Sequence, residues 1–129
     1  MGSWPATSAQ LSGHSHLALS PGGATLYIAD TDSSAVRALT LATGILTALV
    51  GNGSYSWTPD GTQATQGAFT RSLGLAVDFQ GIVYFSESGY GMLDVNGGNN
   101  CVRAVDPSGA VRSAVGRCEV SPHSYVEGS

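Results

Sequence analysis

Apolar positions in this chain come in short bursts separated by turn-forming residues. The stretches 17–20, 25–30, 35–41 and 45–50 are rich in Leu, Val, Ile, Ala and Tyr, each too short for an amphipathic helix and suited to a half-buried pleated surface. The same holds for 75–79, 82–86, 101–106 and 110–115. Between them stand Pro21-Gly22-Gly23, Thr43-Gly44, Gln80-Gly81 and Pro107-Ser108-Gly109, which supply the fixed or positive φ that tight turns demand. The pattern predicts eight short strands and no helix.

The bursts also repeat. Ala6-Thr7-Ser8-Ala9-Gln10-Leu11 aligns with Ala64-Thr65-Gln66-Gly67-Ala68-Phe69, and Leu17-Ala18-Leu19 with Leu75-Ala76-Val77, at one constant offset of about 58 residues. Farther along, Leu26-Tyr27-Ile28-Ala29-Asp30 matches Val83-Tyr84-Phe85-Ser86-Glu87, and Ala35-Val36-Arg37-Ala38-Leu39 matches Cys101-Val102-Arg103-Ala104-Val105. The offset there has grown by about nine residues, which places an insertion within 88–100 of the second copy. Ala48-Leu49-Val50-Gly51 then matches Ala114-Val115-Gly116. Each copy thus holds four strands in one order, the make-up of a β-propeller blade. The expected fold is all-β, two four-stranded antiparallel blades: 1–63 the first with its preceding linker, 64–129 the second with the inserted loop 88–100 and the start of a further linker.

Composition agrees with many strands and narrows the function classes. The chain has 129 residues with 18 Gly, and its five basic residues are all arginines scattered along a sequence of net charge −4. No stripe of positive charge is available to release counterions from a phosphate backbone, so nucleic acid is not an expected partner. No apolar run approaches the ~20 residues that span a bilayer, and Met1-Gly2-Ser3-Trp4-Pro5 has neither the charged nor the apolar region of a signal peptide. A soluble segment is expected, with any targeting signal on a longer parent chain.

Several motifs resemble the NHL repeat. They are "GNGSYSWTPDGTQATQGAFTRSLGLAVDFQGIVYFSES" and "GGNNCVRAVDPSGAVRSAVG", in which a Gly- and Asp-rich linker ending in an Ala-Thr motif precedes each blade. The first copy departs from this pattern in "DSSAVRALTLATG", which lacks the paired asparagines, and the second carries Glu87 where an aspartate is usual. The resemblance implies a six-bladed ring of which this chain is a fragment or building unit. The start and end of the sequence fall at matching points of the cycle, as Gly2-Ser3 corresponds to Asp60-Gly61 and Glu127-Gly128-Ser129 to the next such run. Two blades leave two outer faces bare, with side chains such as Leu17, Leu19, Leu39 and Val50 on them, and large exposed apolar patches signal association. The expected partners are therefore other propeller blades, from a longer parent or from copies of this chain, three copies giving six blades.

Candidate chemistry is sparse. His14 and His16 alternate at the start of the first inner strand and would face one way in regular β-structure. In NHL-like lyases and lactonases the axial channel holds a metal, which makes the pair candidate ligands. Two histidines are too few for a zinc site, however, unless symmetric copies supply more. Asp32, Asp60, Asp94 and 96–100 offer oxygens that calcium favours, without the spacing of an EF-hand. No cofactor is expected; zinc or calcium is the open alternative. Asp30 and Glu87 end the second strand of each copy and can cap a turn or meet Arg37 and Arg103 on the third. Folding the hairpin about Pro107-Ser108-Gly109 brings Cys101 and Cys118 within a couple of residues of facing one another. A disulfide and an extracellular location, or two thiols in a reducing compartment, both fit the sequence. No phosphate loop or nucleophile elbow occurs.

Binding is expected on the long loops. The connection from second to third strand and the linker to the next blade leave one end of a blade together. They carry Tyr55 and Trp57 in the linker and Tyr90, Met92 and Leu93 in the inserted loop, residue types that favour recognition surfaces. Tyr55 and Trp57 are equally suited to plugging the gap between blades. The expected function is non-catalytic recognition of a protein or carbohydrate through the long-loop face. The alternative is part of a metal-dependent NHL-like lyase or lactonase.

Overall fold

The computed structural model describes residues 3–54, 58–88 and 100–116. They form two antiparallel sheets with short 3-10 turns and no α-helix, as the alternation of apolar and turn residues predicts. The first contains β1 (Ser3–Pro5), β2 (His14–Leu19), β3 (Thr25–Asp30), β4 (Ala35–Thr40) and β5 (Ile45–Val50), in spatial order β1-β5-β4-β3-β2. The second contains β6 (Arg71–Val77), β7 (Val83–Ser88), β8 (Asn100–Val105) and β9 (Val111–Val115), in that order. Strands β2–β5 and β6–β9 each form an up-and-down meander of the kind that makes a propeller blade.

The first sheet has a fifth strand that the sequence pattern does not announce. Residues Ser3–Pro5 run along β5, with Trp4 opposite Leu46 and Pro5 opposite Ile45. The second sheet repeats this in reduced form. Gln63 bridges to Ala110, and the amides of Gly61 and Val111 donate to Val111 O and Thr62 O at 2.8 and 2.9 Å. The residues leading into each sheet therefore lie along its outer edge before the chain crosses to the inner strand. That crossing is pinned to the first sheet, because the Gly51 amide donates to Ala64 O (2.8 Å) and the Asn52 amide to Gly67 O (2.9 Å).

Strand register decides which residues share a face. In the first sheet Leu19, Leu26, Leu39 and Leu46 line up across the strands with Trp4 beyond them, and Leu17, Ile28 and Arg37 form the neighbouring row. The opposite face carries Ala18, Tyr27, Ala29, Val36 and Val50. In the second sheet Val77, Val83, Val105 and Val111 make one row, and Leu75, Phe85 and Arg103 the next.

One core joins the sheets. Ala29, Val36 and Val50 of the first pack with Leu75, Val83, Phe85, Val105 and Val111 of the second, and Ala64 and Phe69 of the crossing segment complete the cluster. Val50, expected on a bare outer face, is instead buried here because its side of the first sheet is the one the second sheet covers. Phe69 meets Phe85 edge-on, ring centroids 5.6 Å apart. Burying side chains of this size contributes about 1.5–3 kcal/mol each.

The two ends of the sheets differ. At one end the strands are joined by tight turns held by side chains: Asp78 Oδ1 accepts the amides of Gln80 and Ile82, and Asp106 Oδ1 those of Ser108 and Ala110. Ser20 takes the same place in the first sheet and accepts the Thr25 amide. At the other end the register slips between His14 and His16, Val36 and Arg37, Ser72 and Leu75, and Val102 and Arg103. These are equivalent places in the two copies, and such irregularities bend strands and re-aim side chains.

Candidate functional site

The irregular end of each sheet is built round a buried carboxylate and arginine. In the first sheet Asp30 ends β3, and its Oδ1 accepts the Ser12 amide at 2.8 Å. Its Oδ2 lies 2.9 Å from Arg37 Nε on β4. That contact is an ion pair in distance but not an aligned hydrogen bond, as both atoms lack a hydrogen-bond partner among the described residues. The guanidinium sits over the Trp4 ring, 5.4 Å from its centroid.

The second sheet repeats the arrangement with one more carboxylate. Glu87 Oε1 accepts the Thr70 amide at 2.9 Å and its hydroxyl at 3.2 Å, and Thr70 corresponds in the repeat to Ser12. Glu87 Oε2 is 3.3 Å from Arg103 Nη1. Arg103 Nη2 donates to Asp60 Oδ1 at 2.8 Å, and the guanidinium lies 5.5 Å from the Phe69 ring centroid. The Ser113 hydroxyl also donates to Asp60 Oδ1, at 2.9 Å. Burial pushes the Asp60 carboxyl up, but the hydrogen bonds from Ser113 and Arg103 and the charge of Arg103 outweigh it and hold Asp60 below its ordinary value.

Chemically these clusters tie the segment entering each sheet to its second and third strands. The carboxylates meet the arginines as the sequence suggests, but Asp30 does not cap the turn that follows it. Asp30 and Glu87 instead accept the amides of Ser12 and Thr70, in the segments entering each sheet. Asp60 was foreseen only as a calcium-type oxygen donor, and its Oδ1 is instead shared by Arg103 and Ser113. One signal of this pairing is available in the repeat: Asp60 aligns with Gly2, so the second copy has an acid where the first has none.

The remaining candidates are placed unevenly. His14 and His16 lie on β2 opposite Asp30 and Ala29, with the register slip between them. His16 is exposed. Among the described residues no group of three or more His, Cys, Asp or Glu side chains is arranged to hold a metal ion. Asp32 is exposed in the turn after β3. Cys101 is disulfide-bonded, and its sulfur lies 3.9 Å from Glu87 Oε2; Cys118, the other cysteine of the sequence, lies outside the described residues. So do Tyr55, Trp57, Tyr90, Met92, Leu93 and Asp94. The strands that flank the inserted loop, β7 ending at Ser88 and β8 starting at Asn100, place its two ends at the irregular end of the second sheet.

No family model matches the sequence, and no curated protein does. Among solved structures the chain is similar to the PQQ-bound form of aldose sugar dehydrogenase from Streptomyces coelicolor, at 19% identity and a TM-score of 0.49. The similarity covers 87% of this chain and 30% of that one, so the chain spans under a third of that protein's length.

Proposed function

We propose that the chain is a non-catalytic propeller segment of the NHL type that recognises a protein or a carbohydrate through the irregular end of its blades. The observation that supports this reading is the asymmetry of the sheets. One end is closed by side-chain-braced turns, whereas the other gathers all four register slips, the linker and the ends of the inserted loop. Binding residues concentrate on loops held by a rigid scaffold, and the buried carboxylate–arginine clusters directly beneath supply that rigidity. Tyr90, Met92 and Leu93 of the inserted loop and Tyr55 and Trp57 of the linker are the proposed contact residues.

The test is to probe a glycan array and a peptide array with the labelled protein and with a Tyr90→Ser, Met92→Ser variant. The expected result is a discrete set of binders for the parent and at least a tenfold loss of signal for the variant, with an unchanged melting temperature. Absence of binders on both arrays, or signal retained by the variant, refutes the assignment.

A further inference from the structure

We propose that this chain associates head to tail with copies of itself, the Leu17–Leu19–Leu26–Leu39 face of one copy docking on the Ala76–Tyr84–Val102–Val115 face of the next, and that the succession closes into a ring. The template is the contact already present within the chain. There the second sheet presents Leu75, Val77, Val83, Phe85, Val105 and Val111, and the first presents Ala29, Val36 and Val50. In the repeat, Leu75 corresponds to Leu17, Val77 to Leu19, Val83 to Leu26 and Val105 to Leu39. Ala29 corresponds to Ser86, Val36 to Val102 and Val50 to Val115. The face that the second sheet buries against the first is thus the face whose inner strand the first sheet leaves exposed at Leu17 and Leu19, while Leu26 and Leu39 beyond them are half-buried and Ile28 and Leu46 are buried within the chain. On the other side of the second sheet Ala76 and Val115 are exposed and Tyr84 and Val102 half-buried.

Exposure follows this correspondence on the inner strand of the first sheet and the outer strand of the second. Leu75 is 8% exposed where Leu17 is 52%, and Val50 is 1% exposed where Val115 is 64%. Leu19, at 55%, is exposed beside Leu17. The two uncovered faces are different surfaces that fit each other, so contact between copies is heterologous, and a heterologous contact closes when the rotation per unit divides the circle. Propellers close with roughly four to eight blades, which corresponds to two, three or four copies of a two-blade unit. A second copy is the occupant chosen because it carries the complementary face, with the strand spacing and apolar rows of the contact already formed.

The experiment measures mass by size-exclusion chromatography with light scattering at about 100 µM, a concentration at which even a micromolar contact is populated. The parent is expected at two to four times the 13.1 kDa chain mass. Leu17→Asp with Leu19→Asp blocks one face, and Ala76→Asp with Val115→Asp blocks the other; each variant is expected as a single chain. Mixed in equal amounts, the two retain one matching pair of faces and are expected to form a dimer that grows no further. All four positions are exposed within one chain, and a β-type circular dichroism spectrum accompanies each measurement. Leu17→Ser with Leu19→Ser, a milder pair, should behave as the aspartates do. A parent that stays at one chain mass, an open-ended polymer, a blocked variant that still self-associates, or a mixture that fails to pair would each overturn the proposal.

Discussion

At the scale of single residues the two copies solve one problem differently. Each buries an arginine on its third strand, and a buried charge is tolerable only when paired and hydrogen-bonded. Arg103 has two carboxylates and an aromatic face, whereas Arg37 has Asp30 and the Trp4 ring. Asp60 makes the difference, and its lowered pKa gives the sign of a pH effect. The unfolded chain binds a proton at the ordinary value of 3.8, above the folded value, so within that window the unfolded state holds more protons and stability rises with pH. The stabilisation is present above the ordinary value and is lost as pH falls through the folded one. Melting temperatures measured from pH 5 down to pH 2 should therefore drop for the parent, and Asp60→Asn should start lower and fall less steeply. Some slope should remain, because hydrogen bonds led by the Ile82 amide at Asp78 and the Ser108 hydroxyl at Asp106 also hold those carboxyls low. An identical acid slope in parent and variant would contradict this account.

At the scale of elements, the strands were legible and their edges were not. Short apolar runs in 25–30 and 45–50 bounded by turn residues mark β3 and β5. The inner strands begin at His14 and Arg71, before the apolar bursts at Leu17 and Leu75, because an extra residue at each register slip breaks the two-residue period. Strand β1 escapes because Ser3-Trp4-Pro5 is too short to show a period, and its pairing with β5 and the Trp4 contact with Arg37 are made across the chain. Asp60 and Arg103 meet only through the fold, across a separation that no local pattern encodes.

Glycines divide in the same way. Gly44 has φ +70 with open space where a Cβ would lie, whereas Gly51 has φ +97 and a Cβ there would sit 2.5 Å from Ser34 O. Both need the left-handed region, but only Gly51 is also pressed against backbone where the chain leaves the first sheet. Gly44→Ala should cost about 1 kcal/mol, the usual penalty for that region. Gly51→Ala should cost at least twice as much by urea denaturation at fixed protein concentration. Equal costs would show that the crossing segment yields.

For the whole molecule, the repeat was readable in the sequence and the mutual fit of its two sides was not. Offsets of apolar bursts reveal two copies and match Leu75 with Leu17, but only the fold shows that Leu75 is buried and Leu17 exposed. The disulfide of Cys101 belongs at this scale. A native disulfide contributes roughly 2–4 kcal/mol. Thiol titration of the denatured, unreduced protein should find no free thiol, and reduction should lower the unfolding free energy by about that amount. Two titratable thiols before reduction would refute the bond at Cys101.

The short run Ser3–Pro5 beside β5 has a consequence for how the protein meets others. An open rim of amides and carbonyls invites any extended peptide to add a strand, the route by which many β-proteins template fibrils. Here each sheet guards part of its rim with residues that arrive just before it in the chain. Neighbours are steered away from growth by strand addition along β5 and toward contact through side chains.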